Sequence, residues 1–156
     1  MAQFDRTIPP GGEGKITLRI KTKGYQGEIR KRAKVHTNDP RKKVEVLTIK
    51  AFVKALIYLS PKHVRLRGMK GQEVTKTVRV STEEDKPLKL EPSDFNLSGK
   101  VAYRIEEVEA GREFRIHFTS IPDTVGIYRG FLKLKTNYPE RPEIIIWIKA
   151  KFRKGA

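Results

Sequence analysis

Sliding the chain against itself by 99 residues superposes Gly27 on Gly126, Arg30 on Arg129, Thr37-Asn38 on Thr136-Asn137 and Pro40 on Pro139. The register continues without a gap to Ile49-Lys50-Ala51 on Ile148-Lys149-Ala150, with Val35 and Leu47 on Leu134 and Ile146. At a shift of 98, Ile16, Leu18 and Ile20 meet Phe114, Ile116 and Phe118. Such self-similarity constrains the fold more than any local propensity, because two segments with the same turns and apolar positions build the same supersecondary unit. The second copy runs from about Leu56 to Arg153, whereas residues 1–54 hold only the last half of a first copy. The chain therefore reads as a fragment of a longer tandem array; a native short N-terminal sheet is the alternative. The domain expectation is 1–54 as the C-terminal half of a repeat and 55–156 as a complete one.

The complete copy alternates at period two between turn signals. Leu56 to Leu59 ends at Ser60-Pro61, His63 to Leu66 precedes Gly68, and Val74, Val78 and Val80 lead to the loop Glu83-Glu84-Asp85. Leu88 and Leu90 follow Pro87; Val101, Tyr103 and Ile105 alternate, as do Phe114, Ile116 and Phe118. Gly126 opens a long strand through Thr136, and a last strand spans Ile144 to Phe152. β-branched and aromatic enrichment, short spacings and the lack of a 3.6-residue stripe indicate strands throughout. About seven strands in one copy, jointed by Gly, Pro and Asn, predict an all-β, immunoglobulin-like β-sandwich. Its core is expected to hold Val78, Ile105, Ile116, Phe118, Leu132, Leu134, Ile146 and Ile148.

Composition narrows the function classes. The 156 residues carry 34 Lys and Arg against 18 Asp and Glu, a net charge of +16 that favours polyanionic partners through long-range attraction. Apolar runs such as Ile144 to Ile148 fall far short of the roughly 20 residues of a bilayer helix. No Cys is present, which excludes disulfides, thiolate metal sites and a Cys nucleophile. The opening Met1-Ala2-Gln3-Phe4-Asp5 has no apolar stretch with a small-residue cleavage site.

The pattern Ile8-Pro9-Pro10-Gly11-Gly12, Lys15 to Lys21, Gly27, Val35-His36-Thr37-Asn38-Asp39-Pro40 and Leu47-Thr48-Ile49 resembles the uncharacterised bacterial DUF1573 family. It is also similar to the wider group of immunoglobulin-like modules related to ASH/HYDIN and PapD-like domains. The resemblance covers nearly the whole chain, on motifs that mark turns. It implies a periplasmic or cell-envelope parent protein, and a Cys-containing stretch that is absent from this sequence.

Four constellations contain residue types that can carry chemistry. Pro9-Pro10-Gly11-Gly12-Glu13-Gly14-Lys15 departs from a phosphate loop at its first Gly and its hydroxyl residue, and a strand follows it instead of a helix. His36, His63 and His117 are scattered over different strands without the spacing of a zinc site. Glu83-Glu84-Asp85 and Glu106-Glu107 lack the alternate oxygen ligands of a calcium loop. No reactive Ser stands out beside a His and an acid. The expectation is a non-enzymatic chain with no cofactor and no metal.

Two surfaces remain. If Ile29, Ala33 and Val35 point inward, Arg30, Arg32 and Lys34 point outward in a row about 6 to 7 Å apart, and Arg41, Lys42 and Lys43 extend the charge around the corner. This is either a solvated, edge-protecting face or a polyanion site. Lys31 is the exception, standing inward where the second copy has Gly130. On the last strand, Ile145 and Trp147 face away from the core beside Phe131, a candidate interface with another domain or a partner. The apolar face of the strands carrying Ile16, Leu18 and Ile20, then Ile29, Ala33 and Val35, then Leu47, Ile49 and Ala51 lacks an encoded opposite sheet. Cover near Trp147 or a homodimer through residues 1–54 would supply it, the dimer being preferred. The functional expectation is an interaction, adhesion or scaffold module with an unknown protein partner; the alternative is a basic module for nucleic acid, cell-wall polymers or acidic headgroups.

Overall fold

Period-two alternation is expressed as β-strand throughout the described residues, 2–154 of this computed structural model, and no helix interrupts it. The chain divides between Ala55 and Leu56 into two units. The first holds β1 (Ala2–Phe4), β2 (Ile16–Leu18), β3 (Gly27–His36) and β4 (Val44–Val53), paired as β1-β2 and β3-β4. The second holds β5 (Tyr58–Ser60), β6 (His63–Met69), β7 (Thr75–Ser81), β8 (Leu90–Phe95), β9 (Val101–Glu109), β10 (Glu113–Ser120), β11 (Gly126–Thr136) and β12 (Glu143–Arg153).

In the second unit one four-stranded sheet is ordered β5-β7-β10-β9 and the other β6-β12-β11-β8. Neighbours are antiparallel except β6 and β12, which run parallel. This distribution of consecutive strands between two sheets is that of an immunoglobulin-like sandwich. The inner faces interdigitate: Val78, Val80, Ile116 and Phe118 from one sheet meet Leu132, Leu134, Ile144, Ile146 and Ile148 from the other, all at most 2% exposed. Ile105 is only half-buried, because its strand β9 is a sheet edge. Leu88 is buried but lies in the loop before β8, which starts at Leu90. Near the start of β11 the Tyr128 hydroxyl meets Thr124 Oγ1 at 2.9 Å, and Thr124 in turn donates to the Ile121 carbonyl.

Hairpin β3-β4 repeats hairpin β11-β12 pair for pair. Gly27 opposes Val53 as Gly126 opposes Phe152, and Arg30 opposes Lys50 as Arg129 opposes Lys149. Even the corners share a hydrogen-bond pattern. The Thr37 and Thr136 hydroxyls donate to the carbonyls of Lys42 and Arg141, and accept from the amides of Asp39 and Tyr138. Thr37 and Thr136 also donate their own amides to Lys43 and Pro142 carbonyls. In the second unit the corner does more, since Asn137 clamps the Pro87 to Lys89 loop by accepting from Lys89 N and donating to Pro87 O, both at 2.8 Å.

The first unit departs from the expected three-stranded face. β2 pairs with β1, a strand the sequence pattern did not announce, and not with β3. The physical reason is repeat topology: in the second unit β10 is hydrogen-bonded to β7 and β9 while β11 belongs to the other sheet, so β2, in the position of β10, has no place beside β3. Ala2–Phe4 supplies the ladder instead. The Pro9-Pro10-Gly11-Gly12 segment is the turn between them, closed by Gly12 N donating to Pro9 O, with Gly11 at φ +76°. On the inner face Lys31 folds over Tyr25, its ammonium donating to the phenol oxygen at 2.8 Å and lying 4.6 Å from the ring centre. Gly130 stands in that place in β11 because a Cβ there would come within 2.5 Å of Leu97.

Ile146, fully buried at the centre of β12, is the position where truncation reads the core most directly. Ile146→Ala is expected to cost about 2 to 5 kcal/mol in urea unfolding, and a fragment starting at Leu56 should retain a β-type circular dichroism spectrum.

Candidate functional site: the outer sheet faces

The two sheets of the second unit turn very different faces to solvent. On the β5-β7-β10-β9 side cations are matched by carboxylates. Arg79 and Arg115 both reach Glu113, at 2.7 and 3.6 Å, and Arg104 and His117 both reach Glu106, at 3.7 and 2.9 Å. His117 is further fixed by Thr77 Oγ1, 3.0 Å from its Nδ1.

The β6-β12-β11-β8 side is unbalanced. Because Val64, Leu66, Ile148, Ala150 and Phe152 fill the core, alternation turns Arg65 and Arg67 of β6 and Lys149, Lys151 and Arg153 of β12 outward. Register aligns them in rows: Arg65 with Lys149 with Arg129, then Arg67 with Lys151 with Ile127. Strands about 4.8 Å apart and same-face residues about 7 Å apart make this a dense grid. Among the described residues none of these six cations forms an ion pair. Several of them line a groove of about 340 Å³ that also includes Gly68 and Ile127. The carboxylates of this face lie away from these rows: Glu143, at the start of β12, pairs with Lys133 at 3.6 Å, and Asp94 and Glu91 of β8 oppose Lys133 and Lys135.

The candidate interface Phe131, Ile145 and Trp147 lies on this same face. Trp147 is 51% exposed, while Phe131 and Ile145 are half-buried. Phe131 opposes Trp147 in register and packs edge-on against it with centroids 5.5 Å apart, so the indole is held at a fixed orientation. Asn96 fixes Phe131 from the other side by accepting its backbone N–H at 2.8 Å. His63 flanks Trp147 on β6, and the next row is Arg65, Lys149 and Arg129.

The cations expected on the first hairpin are also aligned. Arg30, Arg32 and Lys34 are exposed on one face of β3, opposite Lys50, Thr48 and Val46. Two carboxylates dilute them, Glu28 at 3.9 Å from Arg30 and Glu45 at 3.0 Å from Lys42. Arg41 and Lys43 are exposed at the turn, where Arg41 N donates to Asp39 Oδ1. The sequence reading thus found the weaker cation row and missed Arg65, Arg67, Lys149, Lys151 and Arg153. The spacings Arg65-x-Arg67 and Lys149-x-Lys151-x-Arg153 were the available signal; that β6 lies beside β12 was not.

Among the described residues no group of three or more His, Asp and Glu is placed to hold a metal ion. His36 and His63 are exposed on separate strands. Arg141, half-buried in the corner, donates to the Ile57 carbonyl at 2.9 Å, and burial lowers its pKa.

No protein-family model matches the chain, and no curated protein matches it. Among the solved structures that resemble its backbone are two that each share 12% identity with it. One is a protein of unknown function from Porphyromonas gingivalis W83, with a TM-score of 0.49 over 87% of this chain and 70% of that one. The other is domains 4 and 5 of the S-layer protein SbsC, with a TM-score of 0.39 over 94% of both chains.

The neutralised face carries its own pH signature. The hydrogen bond from His117 above all, and then the charges of Arg104 and Arg115, hold the Glu106 carboxyl below its ordinary value of 4.5. A carboxylate depressed in the folded state stabilises it above the unfolded value, and that contribution disappears as pH falls through the folded one. Urea midpoints measured between pH 6 and pH 3 should therefore fall more steeply for the native chain than for Glu106→Gln.

Proposed function

We propose that the chain is a non-enzymatic interaction module of adhesion or scaffold type, which contacts a polyanionic partner through the outer face of the β6-β12-β11-β8 sheet. The observation that carries this reading is the contrast between two faces of one domain. Cations spread only for solubility would be interleaved with carboxylates on both sides, as they are around Glu106 and Glu113. Instead, Arg65, Arg67, Arg129, Lys149, Lys151 and Arg153 form rows without ion pairs among the described residues. Unpaired cations on rigid strands repel one another and gain most from an anionic polymer that displaces their counterions.

The row Arg30, Arg32 and Lys34, with Arg41, Lys42 and Lys43 at its end, is the second candidate for the same chemistry. The hairpin register supports it by aligning three cations with Lys50. It ranks below the first because Glu28 and Glu45 lie within it and two-stranded sheets are marginal by themselves.

The first unit also supports self-association. β4 exposes Val44, Val46 and Phe52 on one face and Leu47 on the other, and among the described residues each strand of β3-β4 has only one partner. A two-fold dimer through residues 1–54 would add strands to those edges.

Two measurements test these proposals. Arg65→Glu, Arg129→Glu and Lys149→Glu together should lower the salt needed to elute the protein from heparin well below that for Arg30→Glu, Arg32→Glu and Lys34→Glu together. Both triples change the net charge equally, so equal shifts would leave only non-specific attraction. Sedimentation at micromolar concentration should show a dimer that Phe52→Glu or Val46→Glu weakens; a monomer of the native chain would end that proposal.

A further inference from the structure

The cation rows do not end in other charges but in an aromatic ring, and that narrows the chemistry of the polyanion. This inference rests on the polyanion reading just proposed and deepens it. Along the outward side of β12 the order is Ile145, Trp147, Lys149, Lys151 and Arg153, one aromatic followed by three cations at about 7 Å steps. Phe131 braces the indole edge-on, at 72° between ring planes, and leaves it 51% exposed. With Phe131 and Ile145 it makes a contiguous apolar patch, the kind that marks an interaction site, and its ring is rigid, flat and adjacent to cations.

We infer that this face binds single-stranded nucleic acid, with Arg65, Lys149 and Arg129, then Arg67, Lys151 and Arg153, tracking the phosphates while an unpaired base stacks on Trp147. Both components of sequence-tolerant single-strand binding are present, a cationic track and an aromatic platform. Duplex nucleic acid keeps its bases stacked within the helix and offers none to a flat sheet face. Sulfated or phosphorylated glycans satisfy the cations but have no π-face. Acidic peptides bring carboxylates without a regular aromatic counterpart. Asp94 and Glu91 lie on β8 and Glu143 at the first position of β12, so carboxylates bound the cationic surface on the β8 side and beyond Ile145 and confine the backbone to the Arg65 to Arg153 region.

Trp147 is the only Trp in the chain, so intrinsic fluorescence reports on the site without a label. The probe is an unstructured oligothymidylate of about 12 nucleotides at 50 to 200 mM salt, with heparin and a blunt duplex as comparators. The expected result is saturable quenching by the oligothymidylate, little quenching by heparin, and weaker binding of the duplex. The affinity for single strands should fall with salt with a logarithmic slope of about −4 for six phosphates engaged.

Anisotropy of a labelled oligothymidylate then reads the variants. Trp147→Ala should lose about 5- to 150-fold in affinity, the range expected for one stacked base, and Trp147→Phe should recover part of it. Arg65→Glu, Arg129→Glu and Lys149→Glu together should abolish binding while circular dichroism stays native. If heparin binding depends on those three residues but the oligothymidylate binds no better than duplex and leaves Trp147 unquenched, the single-strand inference is overturned and the polyanion face stands. If binding of both ligands ignores the triple substitution, or neither binds, the polyanion reading falls with it.

Discussion

The pleat of β12 is the constraint from which the rest follows. Ile144, Ile146, Ile148, Ala150 and Phe152 are all buried between the sheets, and in an extended strand that requirement also dictates where every intervening residue points. Ile145, Trp147, Lys149, Lys151 and Arg153 are therefore outward by necessity, held with the precision of the core packing behind them. A one-residue slip would bury three cations and expose the isoleucines, so register and surface chemistry are locked together. Outward side chains placed in this way need no separate scaffold, since the rigidity of the sandwich core is passed directly to its outer face.

Electrostatics separates the two faces that this packing creates. Around Glu113 and Glu106, each carboxylate serves two basic groups, so every cation of these clusters has an anionic partner. On the β6-β12 side, repulsion among Arg65, Lys149, Arg129 and their neighbours is tolerated because a well-filled core can absorb it. Surface ion pairs contribute little stability, so leaving one face unpaired costs the fold little while raising its potential. Function drawn from such a face depends on salt and on the partner's charge more than on shape.

The first unit shows the same hairpin under different conditions. β3-β4 keeps the register, the Arg-Lys pair and the corner hydrogen bonds of β11-β12, so these features come from local sequence and survive without flanking strands. What changes is the surroundings of the hairpin. Lys31 lies over Tyr25 where Gly130 would meet Leu97, and β4 keeps apolar side chains in water.

The sequence by itself determined the strand class, the 99-residue correspondence, the corners at Thr37 and Thr136, and which residues of β11 and β12 point inward, because each rests on period-two alternation or turn chemistry within a short span. It also placed Phe131, Ile145 and Trp147 on one outward face. Only the tertiary structure decided which strands lie side by side. The pairing of β6 with β12 joins segments more than 80 residues apart and runs parallel, so no hairpin turn announces it. Arg65 and Arg67 therefore look like unremarkable surface residues in the sequence, and become part of a cationic surface only when the core brings Val64 and Leu66 alongside Ile148 and Ala150. Charge that accumulates across strands depends on neighbours set by burial of the opposite face, and local sequence carries no record of them.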